Sequence, residues 1–511
     1  MPYTLTYGDG CSLRHDACAV GPRAHQAEHA LVTVVVGKGT ARVGKHAFAG
    51  CDKLARVVLP PGLTSLDEGA FKNTAVRAIV VPEGVIEVGA RCFAGTPLEH
   101  LLLPPGVVDT GCAAFSKTKI VLLSLPSTVT NVADESFRGC QHLLTVAFGP
   151  AVMRVGDNTF RGCTKLNLSN APLSRATRHI GRNAFAGCAG IESLVLPDLL
   201  RTLGGGAFAK CTGLRVMIVG HRLAALPAGG FMRCTSLDHL CLGSITQIGP
   251  RCFSGCRLAD PVQLPEGLLS IGADAFFESG IGLVSLPDTC VQVGPRAFEG
   301  CSRLTHVRLP HRRWRGGIPT HTVGMSAFAH TAVGAVVVPA GVKLGARAFE
   351  HSRVKDLHIA SMGEGELCIT VPRYCFYGCP ITTVVIPSGC PRVSGHAFGA
   401  NPSLTRVWIG GETELSNDAF SDSPNVRWVV TEALRIEALR IIWPHATFQA
   451  CNNIPRVRRA WWHPSRHLWA CTTTRAAVAT MLTCQLRAHE PDELPNEIVF
   501  MVCGFLPLAH W

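Results

Sequence analysis

The chain has 511 residues, a formal net charge of +12, 47% apolar residues and only 16% charged ones. So apolar a composition excludes an intrinsically disordered chain, and basic residues that never run longer than two in a row argue against nucleic acid as the principal ligand. No stretch approaches the roughly 18 to 20 consecutive apolar residues of a membrane-spanning helix, and residues 1–10 lack the basic start and apolar run of a secretory signal, so the expected location is the cytoplasm or nucleus.

Residues 1–30 are mixed and unperiodic, and they read as a cap or loose arm ahead of a first strand-like run at 31–36. Their His15, His25 and His29 have no spacing that fixes a metal and are expected to be solvated.

From residue 31 to 431 a phenylalanine recurs at a spacing of mostly 22 or 23 residues, seventeen times between Phe48 and Phe420. A fixed period of this length is the signature of a stacked repeat, so length here is no guide to domain count. The stretch VGPRAFEGCSRLTHVRLP at 293–310 shows one coil whole. Val307 and Leu309 alternate with His306 and Arg308, the period-two pattern of a strand with one buried face. Pro310 ends that strand because it has no N–H to offer a neighbour. The Ala297–Phe298 step is read as a single helical turn that drops the ring inward and is closed by Gly300.

Nine of the 23 cysteines fall three residues after the recurring phenylalanine: Cys51, Cys140, Cys163, Cys188, Cys211, Cys234, Cys256, Cys301 and Cys379. The other eight copies place Thr, Ser or Asn there, which neither a disulfide nor a metal would accept. The slot is therefore expected to hold a free thiol or hydroxyl bonded to a backbone group of the next coil.

This phrase, an apolar residue followed by Gly-x-x-Ala-Phe-x-Gly-Cys and then Leu-x-x-Val-x-Leu-Pro, resembles the BspA-type leucine-rich repeat. The resemblance spans about 31–431 and implies a right-handed leucine-rich-repeat solenoid with a parallel sheet on one face and short helical turns, used to bind other macromolecules. Relatives of this type in bacteria and protists are often displayed at cell surfaces.

The period stretches to 25, 30 and 27 residues before Phe185, Phe328 and Phe376, and the extra residues are expected to emerge as loops. The longest insertion, at 311–322, gathers Arg312, Arg313, Trp314 and Arg315, a candidate anchor for a protein or anionic partner. Along the predicted sheet the outward positions include Arg56, His100, Ser193, His239, His306, Arg308, His358, Arg406, Trp408 and Trp428. That strip is basic and histidine-bearing with aromatics at its far end, so its expected partner is an acidic protein, held more weakly in salt and more tightly as histidines protonate below about pH 6.5.

Composition changes near 430, where the Phe-Gly-Cys phrasing stops and tryptophans crowd the remainder. Apolar residues at helical spacing in 434–442 and 468–487 predict a small α-helical domain over 432–511. Its last piece, LPNEIVFMVCGFLPLAHW at 494–511, reads as an amphipathic helix with Leu-Pro at its entry. It resembles the opening helix of an F-box, and that resemblance implies recruitment of a ubiquitin-ligase adaptor through Leu494, Pro495, Glu497, Phe505 and Leu506.

His463 and His467 are four apart but have Pro464 between them and no accompanying carboxylate. No glycine-rich phrase opens a long helix after a strand, and no nucleophile with its base can be assembled from the repeats. The chain is thus expected to be a non-enzymatic intracellular scaffold that needs no cofactor or metal and binds a protein partner. The alternatives are a ubiquitin-ligase substrate receptor and a cell-surface adhesin.

Overall fold

The computed structural model describes residues 3–15, 19–169, 172–259, 261–310, 321–360, 370–387, 389–410, 413–431 and 447–450. With a period of mostly 22 or 23 residues, most coils lay down one short strand on a front sheet and, after a short corner, one strand of mostly two residues on a back sheet. Coils join by parallel pairing on both sides. On the front, Leu283–Ser285 pairs with His306–Arg308, placing Leu283, Val284 and Ser285 beside His306, Val307 and Arg308. On the back, Gln292–Val293 pairs with His321–Val323. Residue follows its counterpart from coil to coil, so a row that begins inside stays inside.

The third side of each coil carries the phenylalanine, and here the expected helical turn is corrected to a chain of tight β-turns; among the described residues there is no helix. In the coil at 293–310, Ala297, Glu299 and Cys301 donate to the carbonyls three residues back, at 3.2–3.3 Å. The amides between them, on Arg296, Phe298 and Gly300, donate instead to Met325, Ala327 and Ala329 of the next coil at 2.8–3.0 Å. A helix would turn all of these bonds inward on itself, whereas alternation lets the turn segment tie neighbouring coils together. The geometry requires left-handed backbone at two points per turn, here Arg296 with φ 57° and Gly300 with φ 73°. Close approach explains the glycine that opens the phrase: a Cβ on Gly294 would lie 2.5 Å from the Ala273 nitrogen of the preceding coil.

All seventeen recurring phenylalanines are buried, none more than 3% exposed. Their rings form one uninterrupted column with centroids 5.0–5.7 Å apart and planes within 20° of parallel. Beside the rings runs the cysteine slot. All nine of its thiols donate to the carbonyl of the ring residue in the preceding coil, at 2.9–3.2 Å, which reverses the direction expected from sequence. Thr74, Thr96, Thr118, Thr331 and Ser352 use the same acceptor but in their own coil, at 2.7–3.0 Å, while Ser423 reaches across to Phe398 at 3.1 Å as the thiols do. The seventeen described cysteines are free thiols, and burial pushes Cys301 and Cys379 up to about 11.

Two boundaries shift. Residues 3–15 and 19–30 form a fitted cap with a coil of its own. Val20 bridges Val43 in parallel, and Arg23, His25 and Ala27 donate to Lys45, Ala47 and Ala49 as later turns do. His25 is buried rather than solvated and occupies the ring slot, stacked 5.5 Å from Phe48. Its Nδ1 lies 2.8 Å from Glu28 and its Nε2 2.9 Å from the Tyr3 hydroxyl, so both edges of the imidazole are satisfied. An antiparallel hairpin, Tyr3–Tyr7 with Ser12–His15, then runs against Leu31–Val35 and closes the front sheet. At the other end, the predicted helical segment over 432–511 contains Thr447–Ala450, which is a strand paired in parallel with Trp428–Thr431. The remaining residues of that segment lie outside the described ones.

Candidate binding face

Front strands are short enough that each offers one buried residue between two outward ones, the pattern seen in Arg56–Val58, Ala78–Val80, His100–Leu102 and Leu122–Ser124. Within each run of paired strands, parallel register aligns the outward residues into two rows. Ala78 sits beside His100 and Val80 beside Leu102; Val195, Ile218 and Cys241 follow one another in the same way.

The row formed by the third strand position is aliphatic in the N-terminal part. Val80 is 75% exposed, Leu102 68% and Val195 59%, with Val35, Val58 and Ile218 also exposed and Leu122 joining from the first row at 63%. Contiguous large aliphatics on a rigid sheet are costly to leave in water. Sequence reasoning passed over them by collecting only polar outward residues. The signal was present: RVVLP, AIVVP and HLLLP carry an apolar residue where strict alternation calls for a polar one.

Toward the C-terminus the same face becomes basic. Arg308, His358 and Arg406 are exposed on it, while His306 and Trp408 are half-buried. His306 sits beside Ala335, which in turn neighbours Asp356; Val337 neighbours His358. Arg406 lies between Thr383 and Trp428, and Trp408 between Val385 and Val430. Exposed Arg303, Arg353, Lys355 and Arg427 flank these strands, against the carboxylates of Asp288, 3.7 Å from Arg308, and Asp356. In the N-terminal part Arg56 and His100 are exposed on the face and Arg77 is paired with Glu99 at 3.7 Å. The outward positions expected from sequence thus span the whole face, and in the N-terminal part the aliphatic row lies beside them.

Arg312, Arg313, Trp314 and Arg315 lie outside the described residues, as do Leu494, Pro495, Glu497, Phe505 and Leu506 and the pair His463 and His467. Where the 311–320 segment leaves and rejoins the array is fixed, between the front strand His306–Arg308 and the back strand His321–Val323. Among the described residues, no three His, Cys, Asp or Glu side chains converge to hold a metal, and no helix is long and apolar enough to cross a membrane.

No curated protein sequence matches the chain. Among solved structures it is similar to a leucine-rich repeat protein from Bacteroides ovatus, with 18% identity, 88% of this chain and 91% of that one covered, and a TM-score of 0.48. It is also similar to a leucine-rich repeat protein from Eubacterium ventriosum, with 20% identity, coverage of 56% and 85%, and a TM-score of 0.40. A leucine rich cell surface protein from Faecalibacterium prausnitzii aligns at 17% identity, coverage of 73% and 91%, and a TM-score of 0.33. The family model for the BspA type leucine rich repeat region matches four overlapping stretches, 20–144, 110–238, 224–355 and 321–455. Those bounds agree with a first coil that opens at Val20 and a sheet that continues past 431, and the chain belongs to the BspA-type leucine-rich repeat family.

Proposed function

We propose that the protein is a non-catalytic scaffold of the cytoplasm that binds a protein partner across the front sheet. The exposed aliphatic row from Val35 to Leu122 carries this reading, because burial of such a row against a partner removes surface that the fold itself leaves in water. The exposed free thiols of Cys11, Cys112 and Cys241 suit a reducing compartment. Detection of the chain outside the cell would replace the scaffold reading with that of an adhesin.

The test is affinity purification of the full chain beside the double variant Val80→Asp, Leu102→Asp. The expected outcome is a partner retained by the parent and lost by the variant, with both chains melting at the same temperature. Retention by both would remove the front sheet as the binding face.

A further inference from the structure

The front face changes character along its length, and the two characters are far apart. From Val80 to Arg308 is about ten coil steps, roughly 48 Å at the spacing of parallel strands. Aliphatic exposure peaks at Val80, Leu102 and Leu122 and declines through Val195 and Ile218 to Val385 on the basic half. Basic exposure is concentrated at Arg303, Arg308, Arg353, Lys355, Arg406 and Arg427. Among the described residues Arg406 has no carboxylate within ion-pair distance, while Arg308 has Asp288 at 3.7 Å and Arg77, on the aliphatic half, has Glu99 at 3.7 Å.

Resting on the reading above, we infer that the face is bipartite and that its partner is an elongated protein carrying an acidic segment. One end of that partner seats an apolar patch on the row at Val80 and Leu102, and the acidic segment lies over Arg308 and Arg406. The two stations divide the work. Apolar contact resists salt and sets the lifetime of the complex. The basic half attracts its target from a distance and weakens as counterions screen it. Two separated weak stations on one rigid frame also raise overall affinity without any further contact.

The experiment uses the full chain and two chemically simple probes, poly-L-glutamate for the acidic segment and the uncharged dye Nile red for the apolar patch. Three double variants are compared: Arg308→Ser with Arg406→Ser on the basic station, Val80→Ser with Leu102→Ser on the apolar one, and Arg161→Ser with Arg233→Ser, which removes the same charge from exposed positions on the turn side. Poly-L-glutamate is expected to bind the parent, to lose about tenfold in affinity in the first variant and under about twofold in the other two, and to weaken about tenfold between low and high salt. Nile red emission is expected to fall only in the Val80 and Leu102 variant.

Equal loss of poly-L-glutamate binding in both arginine variants, or no binding by the parent, overturns the acidic station while leaving the aliphatic face intact. Nile red emission that ignores Val80→Ser and Leu102→Ser overturns the apolar station and, with it, the scaffold reading.

Discussion

Two sides of each coil repeat with the same period and are tied to their neighbours by the same kind of backbone bond, yet they treat side chains in opposite ways. On the turn side, the ring slot holds phenylalanine in seventeen consecutive coils and the neighbouring slot only Cys, Thr, Ser or Asn. On the front sheet, the third strand position runs through valine, leucine, serine, alanine, isoleucine, arginine, histidine and tryptophan. The difference is burial. A side chain held between two coils has one shape to fit, and a side chain on the sheet surface has none. The sheet is therefore the side on which recognition can vary without unfolding the array.

The sharpest way to break this contrast is to truncate on each side in turn. Phe208→Ala, mid-column between Phe185 and Phe231, should cost about 3–5 kcal/mol, while Arg308→Ala stays within about 0.5 kcal/mol. Urea unfolding midpoints report both, and equal shifts would contradict the layout. Next in size is the end of the column. His25→Ala removes a stacked ring and leaves the Tyr3 hydroxyl and Glu28 without their shared partner, an expected loss of about 1–3 kcal/mol read by thermal melting.

Smaller again is the thiol ladder. Cys211→Ala removes the thiol that donates to the Phe185 carbonyl at 3.2 Å, leaving that carbonyl the Cys188 amide at 3.1 Å, and should cost about 0.5–1.5 kcal/mol, with Cys211→Ser recovering part of it. Alkali probes the same ladder by charge. The buried Cys301 and Cys379 thiols are raised from 9.0 to about 11, so the stability they contribute is fully present below pH 9 and is lost as the pH rises through about 11. At pH 9.5 the loss is under about 1 kcal/mol per thiol, visible as a lowered melting temperature. A melting temperature unchanged between pH 8 and pH 10.5 would mean that these thiols are not buried.

Most of the architecture was legible because inward rows obey one rule per position. Phe298, Cys301, Val307 and Pro310 each announce their role from a single coil. The turn was misread as helical because Ala-Phe is equally at home in a helix; what excludes a helix is the left-handed residue two places before the ring, and arginine, asparagine or histidine there gives no compositional warning. His25 was missed for a related reason. The ring slot was recognised by phenylalanine, and a polar ring qualifies only when Tyr3 and Glu28 arrive from elsewhere in the chain to satisfy its nitrogens. The outward residues of the front sheet were half legible, since charged ones are conspicuous in a sequence and exposed valines resemble core.

The hairpin at Tyr3–Tyr7 and Ser12–His15 has a consequence for behaviour in a crowded cell. Every array of parallel coils ends in a strand whose backbone is free to accept the next molecule, an invitation to grow filaments. Here Tyr3–Tyr7 runs against the coils, Ser12–His15 turns back to lie outermost, and the column is sealed by an imidazole whose edges are already engaged. A second array arriving in phase finds no greasy ring to stack on, only His25 already covered edge-on by Tyr3 and His15, so the column itself offers nothing to extend at that end.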